Sequence, residues 1–268
     1  MCASFEGGNQ ILFDDGASYE RYMGVWSQRA GVDFLNWLRA PAGLRWLDVG
    51  CGNGAFTELL ASHCAPAALF GIDPSDEQLA YARTRPMLRE ADLREADAMS
   101  LPFADNAFDA AVMPLVLFFV PEPAKGVAEM ARVVQPGGLV TAYAWDMHGG
   151  GFPYHVLQRE MRKLGAVVPA PPSPEASRRD AMEALWREAG LMDLNSCEIT
   201  VQRTFADFDD YWRTLQGGAS VGRSLATMSR EATEQLEDRL REALPADAGG
   251  RITYSARANA ISGKVSPT

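Results

Sequence analysis

Three glycines alternate behind a carboxylate in Leu47-Asp48-Val49-Gly50-Cys51-Gly52-Asn53-Gly54-Ala55. A short apolar run precedes them and a helical pattern follows. Such a loop lets a ligand approach the backbone closely, and the helix start offers N–H groups to an anion or a polar group. A second carboxylate, Asp73, stands 19 residues after Gly54, where another apolar run ends at Asp73-Pro74. A carboxylate at such a strand end can accept hydrogen bonds from two ribose hydroxyls. A third, Asp97, lies 24 residues further on and is followed by Ala98 and Met99. It suits an adenine amino group, with the Met99 thioether on the ring. Gly50, Gly52 and Ala55 also fit the letters of a dinucleotide fingerprint, so the loop alone leaves the cofactor open.

The elements that must hold these residues alternate. Tyr22, Trp26 and Ala30 are spaced by four, as are Phe34 and Leu38, which predicts a helix over 18–38 ended by Pro41 and Gly43. Strands are expected over 45–49, 67–72, 92–96, 108–113 and 139–145. Helices are expected over 55–64, 75–83 and 124–134, with Ser75 and Gln78 in capping-box spacing. Strand and helix alternating at this interval means βαβ units and a parallel sheet covered by helices. The texture changes after Trp145. A glycine run (149–151) and Pro169, Pro171, Pro172 and Pro174 surround one helix over 154–164, which reads as a crossing loop or lid. Helices over 179–189, 208–215 and 230–244 and strand-like runs over 194–205 and 251–265 complete the chain.

Composition excludes several classes. The 268 residues are 47% hydrophobic and 22% charged, which suits one large globular α/β domain rather than a disordered chain. The net charge of −10 comes with no run of Lys or Arg, so nucleic acid is not an expected partner. The longest apolar stretch, 110–120, is shorter than the roughly 20 residues that span a bilayer and contains Pro114. Residues 1–10 lack the basic-then-apolar order of a signal peptide. The four cysteines form no CxxC pair and there are three scattered histidines, so no metal site is expected. These features give the expectation of a reduced, cytoplasmic protein. Oligomeric state is not readable.

Several motifs occur in series: LDVGCGNGAF (47–56), GIDPS (71–75), ADAMSLPFADNAFD (96–109), EMARVVQPGG (129–138) and, before them, YERYMGVWS (19–27). Together they resemble the class I S-adenosylmethionine-dependent methyltransferases, in particular the group that includes quinone-biosynthesis enzymes. The resemblance covers 19–145; the rest matches in layout only. It implies a Rossmann-like, doubly wound, mostly parallel seven-stranded sheet with helices on both faces and a lid insertion. The implied segments are an arm and cap helix (1–43), a cofactor-binding core (44–145), a lid (146–180) and a C-terminal part (181–268) that completes the sheet and carries a helical segment at 206–244.

The resemblance also implies roles. Gly50, Cys51 and Gly52 would face the methionine part of S-adenosylmethionine, and Asp48 would orient it through its amine or a water. Asp73, with Pro74 after it, would hold the ribose, while Asp97, Ala98 and Met99 would read the adenine. Met113 and Pro114 would line the cleft where the methyl group emerges. Tyr22 and Trp26 would close over the cofactor, although their spacing equally suits plain core packing. The acceptor expected is a small, apolar or aromatic molecule. Methyl transfer from a sulfonium needs alignment and exclusion of water, and needs a base only if the acceptor must lose a proton. His148 and His155 flank the glycine run and are the candidate bases. The competing expectations are an NAD(P)-dependent oxidoreductase, which leaves the Asp97 segment unexplained, and a noncatalytic S-adenosylmethionine-binding regulator.

Overall fold

A computed structural model of the chain describes residues 20–216 and 219–267. The polar arm expected over 1–16, and the start of the helix expected from Ser18, lie outside these residues. From Glu20 to Gly24 the chain makes a π-helical turn that runs into α1 (Val25–Leu38). Trp26, Ala30 and Phe34 are fully buried on one face of α1, as their spacing predicts.

The strands are β1 (Arg45–Val49), β2 (Ala68–Asp73), β3 (Asp92–Glu95), β4 (Phe108–Pro114), β5 (Val134–Trp145), β6 (Met192–Phe205) and β7 (Ile252–Lys264). They form one sheet in the order β3-β2-β1-β4-β5-β7-β6. All neighbours from β3 to β5 are parallel, and β7 is antiparallel to both β5 and β6. Strand order reverses between β1 and β4. The chain leaving β1 therefore faces a crevice at the carboxyl ends of the strands, where open α/β sheets place ligands. The four last residues of β1 are buried, because a central parallel strand is covered on both faces.

The helices are α2 (Ala55–His63), α3 (Asp76–Ala82), α4 (Pro123–Val133), α5 (His155–Lys163), α6 (Arg179–Glu188), α7 (Phe208–Gln216), α8 (Ala219–Ala226) and α9 (Arg230–Ala243). Among the described residues none is long and apolar enough to cross a membrane. Helix α4 starts with Pro123 and buries Gly126, Val127, Met130 and Val133 against the sheet. Its outer edge secures the loop after β3. Arg132 binds Glu129, Asp105 and the carbonyls of Leu101 and Phe103, while a Glu129 oxygen accepts from the Leu101 N–H at 2.8 Å. Two elements differ from the sequence reading. Strand β5 begins at Val134 and runs through Gly137-Gly138 rather than starting at Leu139. Helix α8 is a third helix inside the helical segment expected at 206–244, where the sequence predicts two.

Candidate active site

The glycine loop lies between β1 and α2 and is tied to β2. The N–H groups of Gly50 and Cys51 both donate to the Ile72 carbonyl, at 2.8 and 2.9 Å. The Gly52 N–H donates to Asp73 Oδ2 at 2.9 Å, and the other Asp73 oxygen accepts from Ser75 N–H at 2.9 Å. Asp73 thus closes the loop from the next strand while its side chain remains partly open. Burial pushes its carboxyl up, against the pull of the Ser75 and Gly52 N–H groups.

The three glycines differ in reason. All have positive φ: 79° at Gly50, 52° at Gly52 and 80° at Gly54. A Cβ on Gly50 would stand 2.5 Å from Val116 Cγ2, and one on Gly54 would stand 2.7 Å from Leu88 Cδ1. Those two glycines are required by packing. A Cβ on Gly52 would meet only Asp73 Oδ2 and Gln78 Oε1, each at 4.0 Å. Gly52 is therefore the glycine of the three whose missing side chain leaves space, and that space borders a carboxylate.

Asp48 is completely buried. Its Oδ2 accepts from Thr57 Oγ1 at 2.7 Å, and its Oδ1 has no partner. Burial pushes its carboxyl up to about 7; the Thr57 hydroxyl opposes the rise and the nearby Asp73 adds to it. An orphaned buried oxygen of this kind fits a cationic or donor group of a ligand. Cys51 is buried with Leu79, Ala82 and Leu93, and burial holds its thiol well above the ordinary range, so it packs as an inert thiol. From outside, Arg85 grips the loop through the Asn53 carbonyl at 2.6 Å and Glu58 at 2.8 Å.

Asp97 lies two residues beyond the end of β3 and is exposed; its Oδ1 accepts from Met99 N–H at 2.8 Å. Ala98 and Met99 are half-buried beside it and Pro74 is exposed. Met113 and Pro114 are buried at the end of β4, and Met113 Cε reaches the Gly126 turn of α4. The next residue, Leu115, holds a left-handed φ of 59° while its N–H donates to the Tyr143 carbonyl at 2.7 Å. A non-glycine residue in that conformation is strained, and it sits where the β4 end meets Gly50 through Val116.

Tyr22 and Trp26 meet a third aromatic. The Tyr22 and Tyr154 rings stack at 4.1 Å, the Tyr154 hydroxyl donates to the Tyr22 carbonyl at 2.6 Å, and Trp26 Nε1 donates to that hydroxyl at 3.2 Å. His148 is exposed and pairs with Glu175 at 2.7 Å on a cavity of about 590 Å³ that Asp146, Arg178 and Asn259 also line. His155 opens α5 and is half-buried beside Gly150. Burial lowers its pKa, and Arg159 and Arg162 lower it further. The glycine run is closely packed at two of its three positions. Cβ atoms on Gly149 and Gly151 would collide with Asp146 and Arg257, and Asp146 binds the Gly149 N–H at 2.7 Å. Thr57 and Gln78 were missed by the sequence reading, since nothing in a linear pattern marks a hydroxyl nine residues on as the partner of Asp48.

Residues 47–142 match the family model described as a methyltransferase domain. That segment holds the glycine loop, Asp73, Asp97 and the β4 end. A demethylmenaquinone methyltransferase of Desulfitobacterium hafniense (strain Y51) is 37% identical over 110 residues, which are 39% of this chain and 44% of that protein. The chain thus spans about half the length of the curated relatives it matches. Among solved structures, a Bacillus halodurans C-125 protein superposes with a TM-score of 0.59 at 16% identity, over 88% of this chain and 98% of that one. A Haemonchus contortus phosphoethanolamine N-methyltransferase 2, solved with S-adenosyl-L-methionine, gives 0.58 at 19% identity, over 94% and 56%. At these identities the structures establish the shared Rossmann-like α/β fold of the methyltransferase-domain segment and its C-terminal extension. Among the described residues no cluster of His, Cys, Asp and Glu is suited to a metal ion.

Proposed function

We propose that this chain transfers a methyl group from S-adenosylmethionine to a small aromatic acceptor of quinol type. The observation that carries the reading is the open side of Gly52 facing the Asp73 carboxylate, inside the residues that match the methyltransferase domain. Asp73 would accept from the ribose hydroxyls. The unpartnered Oδ1 of Asp48 would receive the amino group of the methionine part, directly or through a water. Asp97 and the Ala98 backbone would read the adenine, with Met99 against the ring. Gly50 and Cys51 would contribute carbonyls and shape, since their N–H groups already serve Ile72. When bound, the cofactor supplies a methyl group activated by its sulfonium, with a neutral thioether as the leaving group.

The chain's own work is alignment and exclusion of water. The relative from D. hafniense supports a quinone-like acceptor, and the aromatic cluster of half-buried Tyr22 with buried Trp26 and Tyr154 supports an apolar one. If the acceptor is a hydroxyl, His155 is the better base. Its depressed pKa leaves it neutral and ready to take a proton near pH 7, whereas His148 is engaged by Glu175. The reaction needs no metal in this reading, and a freely diffusing cofactor suits a cytoplasmic location.

Calorimetry against S-adenosylmethionine and against NAD(H) tests the cofactor. Binding of the first, and its loss by at least tenfold in Asp73→Ala, is expected, because each hydrogen bond to a charged group contributes about 1.5–3 kcal/mol. Binding of NAD(H) alone would overturn the reading in favour of an oxidoreductase. Release of S-adenosylhomocysteine with a panel of small phenols and quinols excludes a noncatalytic regulator.

A further inference from the structure

Strand β6 turns an apolar stripe inward at every second residue: Ile199, Val201 and Phe205 are buried. The remaining position of that stripe is Arg203. Its guanidinium lies over the Phe205 ring at 4.5 Å, and its Nη1 is buried with no hydrogen-bond partner. A buried N–H with nothing to bind is costly, and the contacts of the guanidinium with the Phe205 ring and the Tyr154 hydroxyl leave Nη1 unsatisfied.

The surroundings are aromatic with polar tips. Tyr254 faces Arg203 in the β6–β7 register and packs edge-on against Trp26 at 6.0 Å. Tyr211 stands edge-on to Phe205 at 5.2 Å. The Arg203 guanidinium also reaches the Tyr154 hydroxyl: burial pushes that phenol up to about 12, and the Arg203 charge and the hydrogen bonds from Trp26 and Arg203 oppose the rise, while Nη1 itself keeps no partner. Tyr22 is raised by burial and then by Tyr154 and Tyr211, so these phenols crowd one region and stay protonated donors at neutral pH. The region lies beyond the carboxyl edge of the parallel strands. Trp145 at the end of β5 aligns with Ala258, and Ala258 with Ile199. Arg203 is four residues past that row, about 13 Å along the strand.

We infer that Arg203 is the specificity-determining residue of an acceptor subsite, where its free Nη1 binds an anionic oxygen, carboxylate or phenolate, carried by an aromatic ring. This deepens and rests on the methyltransferase reading. The aromatic side chains take the ring, and the guanidinium, flanked by phenolic donors, takes the charge.

The test uses the full chain and two matched probe pairs, 2-naphthoate against 2-naphthamide and 4-nitrophenolate against 4-nitroanisole. Binding is followed by quenching of intrinsic fluorescence with S-adenosylhomocysteine present. The wild type should favour the anionic member of at least one pair by about tenfold or more, and the pair shows which oxygen acid is preferred. Arg203→Met should abolish the preference, Arg203→Lys should retain part of it, and neither should change S-adenosylhomocysteine affinity. Arg203→Met should still unfold cooperatively and keep its S-adenosylhomocysteine affinity, whereas a merely structural arginine would leave the preference between the paired probes unmoved. No preference in the wild type for either pair, or a preference that survives in Arg203→Met, would overturn the inference. Failure of S-adenosylhomocysteine to bind the wild type would instead sink the methyltransferase reading and leave the anion subsite to be judged on the probes alone.

Discussion

Asp48 makes the base of the glycine loop sensitive to protons. In the fold its carboxyl is raised from 3.8 to about 7, so the folded chain binds a proton more readily than the unfolded chain between those values. Its contribution therefore lowers stability as pH rises from about 4 to about 7, on the order of a few kcal/mol. Asp48→Asn should flatten that slope in urea melts taken across the window; an unchanged slope would remove Asp48 as its source. If Oδ1 takes up the amino group of S-adenosylmethionine, binding at pH 6 should also release protons, measurable by calorimetry in buffers of different ionisation enthalpy. The glycines make a second contrast. Gly50→Ala strains a left-handed position and drives a methyl group into Val116, which should cost about 2–4 kcal/mol; adding Val116→Ala should restore part of it. Gly52→Ala pays only the strain, about 1 kcal/mol, yet should weaken S-adenosylhomocysteine binding at least tenfold. Equal thermal losses in the two variants would contradict the separate reasons assigned to them. At this scale Asp48, Asp73 and the loop were legible because they are local in sequence. Thr57, Gln78 and Arg203 were not, because their roles exist only once strands and helices bring distant side chains together.

The segment between β5 and α6 illustrates how far element reading goes. Its glycines and prolines suggested a lid, and its one helix was correctly expected over residues near 154–164. The structure shows a strap fastened at several points. Ser173 donates to the Val120 carbonyl at 2.8 Å, Met147 N–H donates to Ser177 Oγ at 3.1 Å, and Asn259 Nδ2 donates to the Ser177 carbonyl at 2.8 Å. Ser177 is fully buried. Removing its hydroxyl strands the Met147 N–H, so Ser177→Ala should destabilise by about 1–3 kcal/mol and speed amide exchange near Met147. Exchange that stays at wild-type rates would mean the strap is held elsewhere. Composition cannot separate a glycine kept for motion from one kept for contact, because both omit the side chain for different neighbours. The early start of β5 was hidden for a similar reason: Gly137-Gly138 reads as a turn until β7 pairs alongside.

Across the whole molecule the parallel half was legible from alternation, whereas the antiparallel edge needed the family resemblance to suggest its layout. Among the described residues strand β6 has only β7 as a sheet neighbour, and β7 also closes β5. Deleting residues 252–268 should therefore abolish cooperative unfolding, as judged by circular dichroism and gel filtration; a soluble, cooperatively melting product would refute this. The same strand order has a consequence during synthesis. The β6 sequence is complete 46 residues before β7 begins. At roughly 5–20 residues per second, the ribosome leaves β6 without its sheet partner for about 2–9 seconds. Bare strand edges invite pairing with other chains. On β6 the outward positions are Glu198, Thr200, Gln202 and Thr204, all exposed in the finished fold. This polar row gives the nascent strand one water-compatible face during the interval, and a chain made more slowly would lengthen the time that its apolar face waits for a partner.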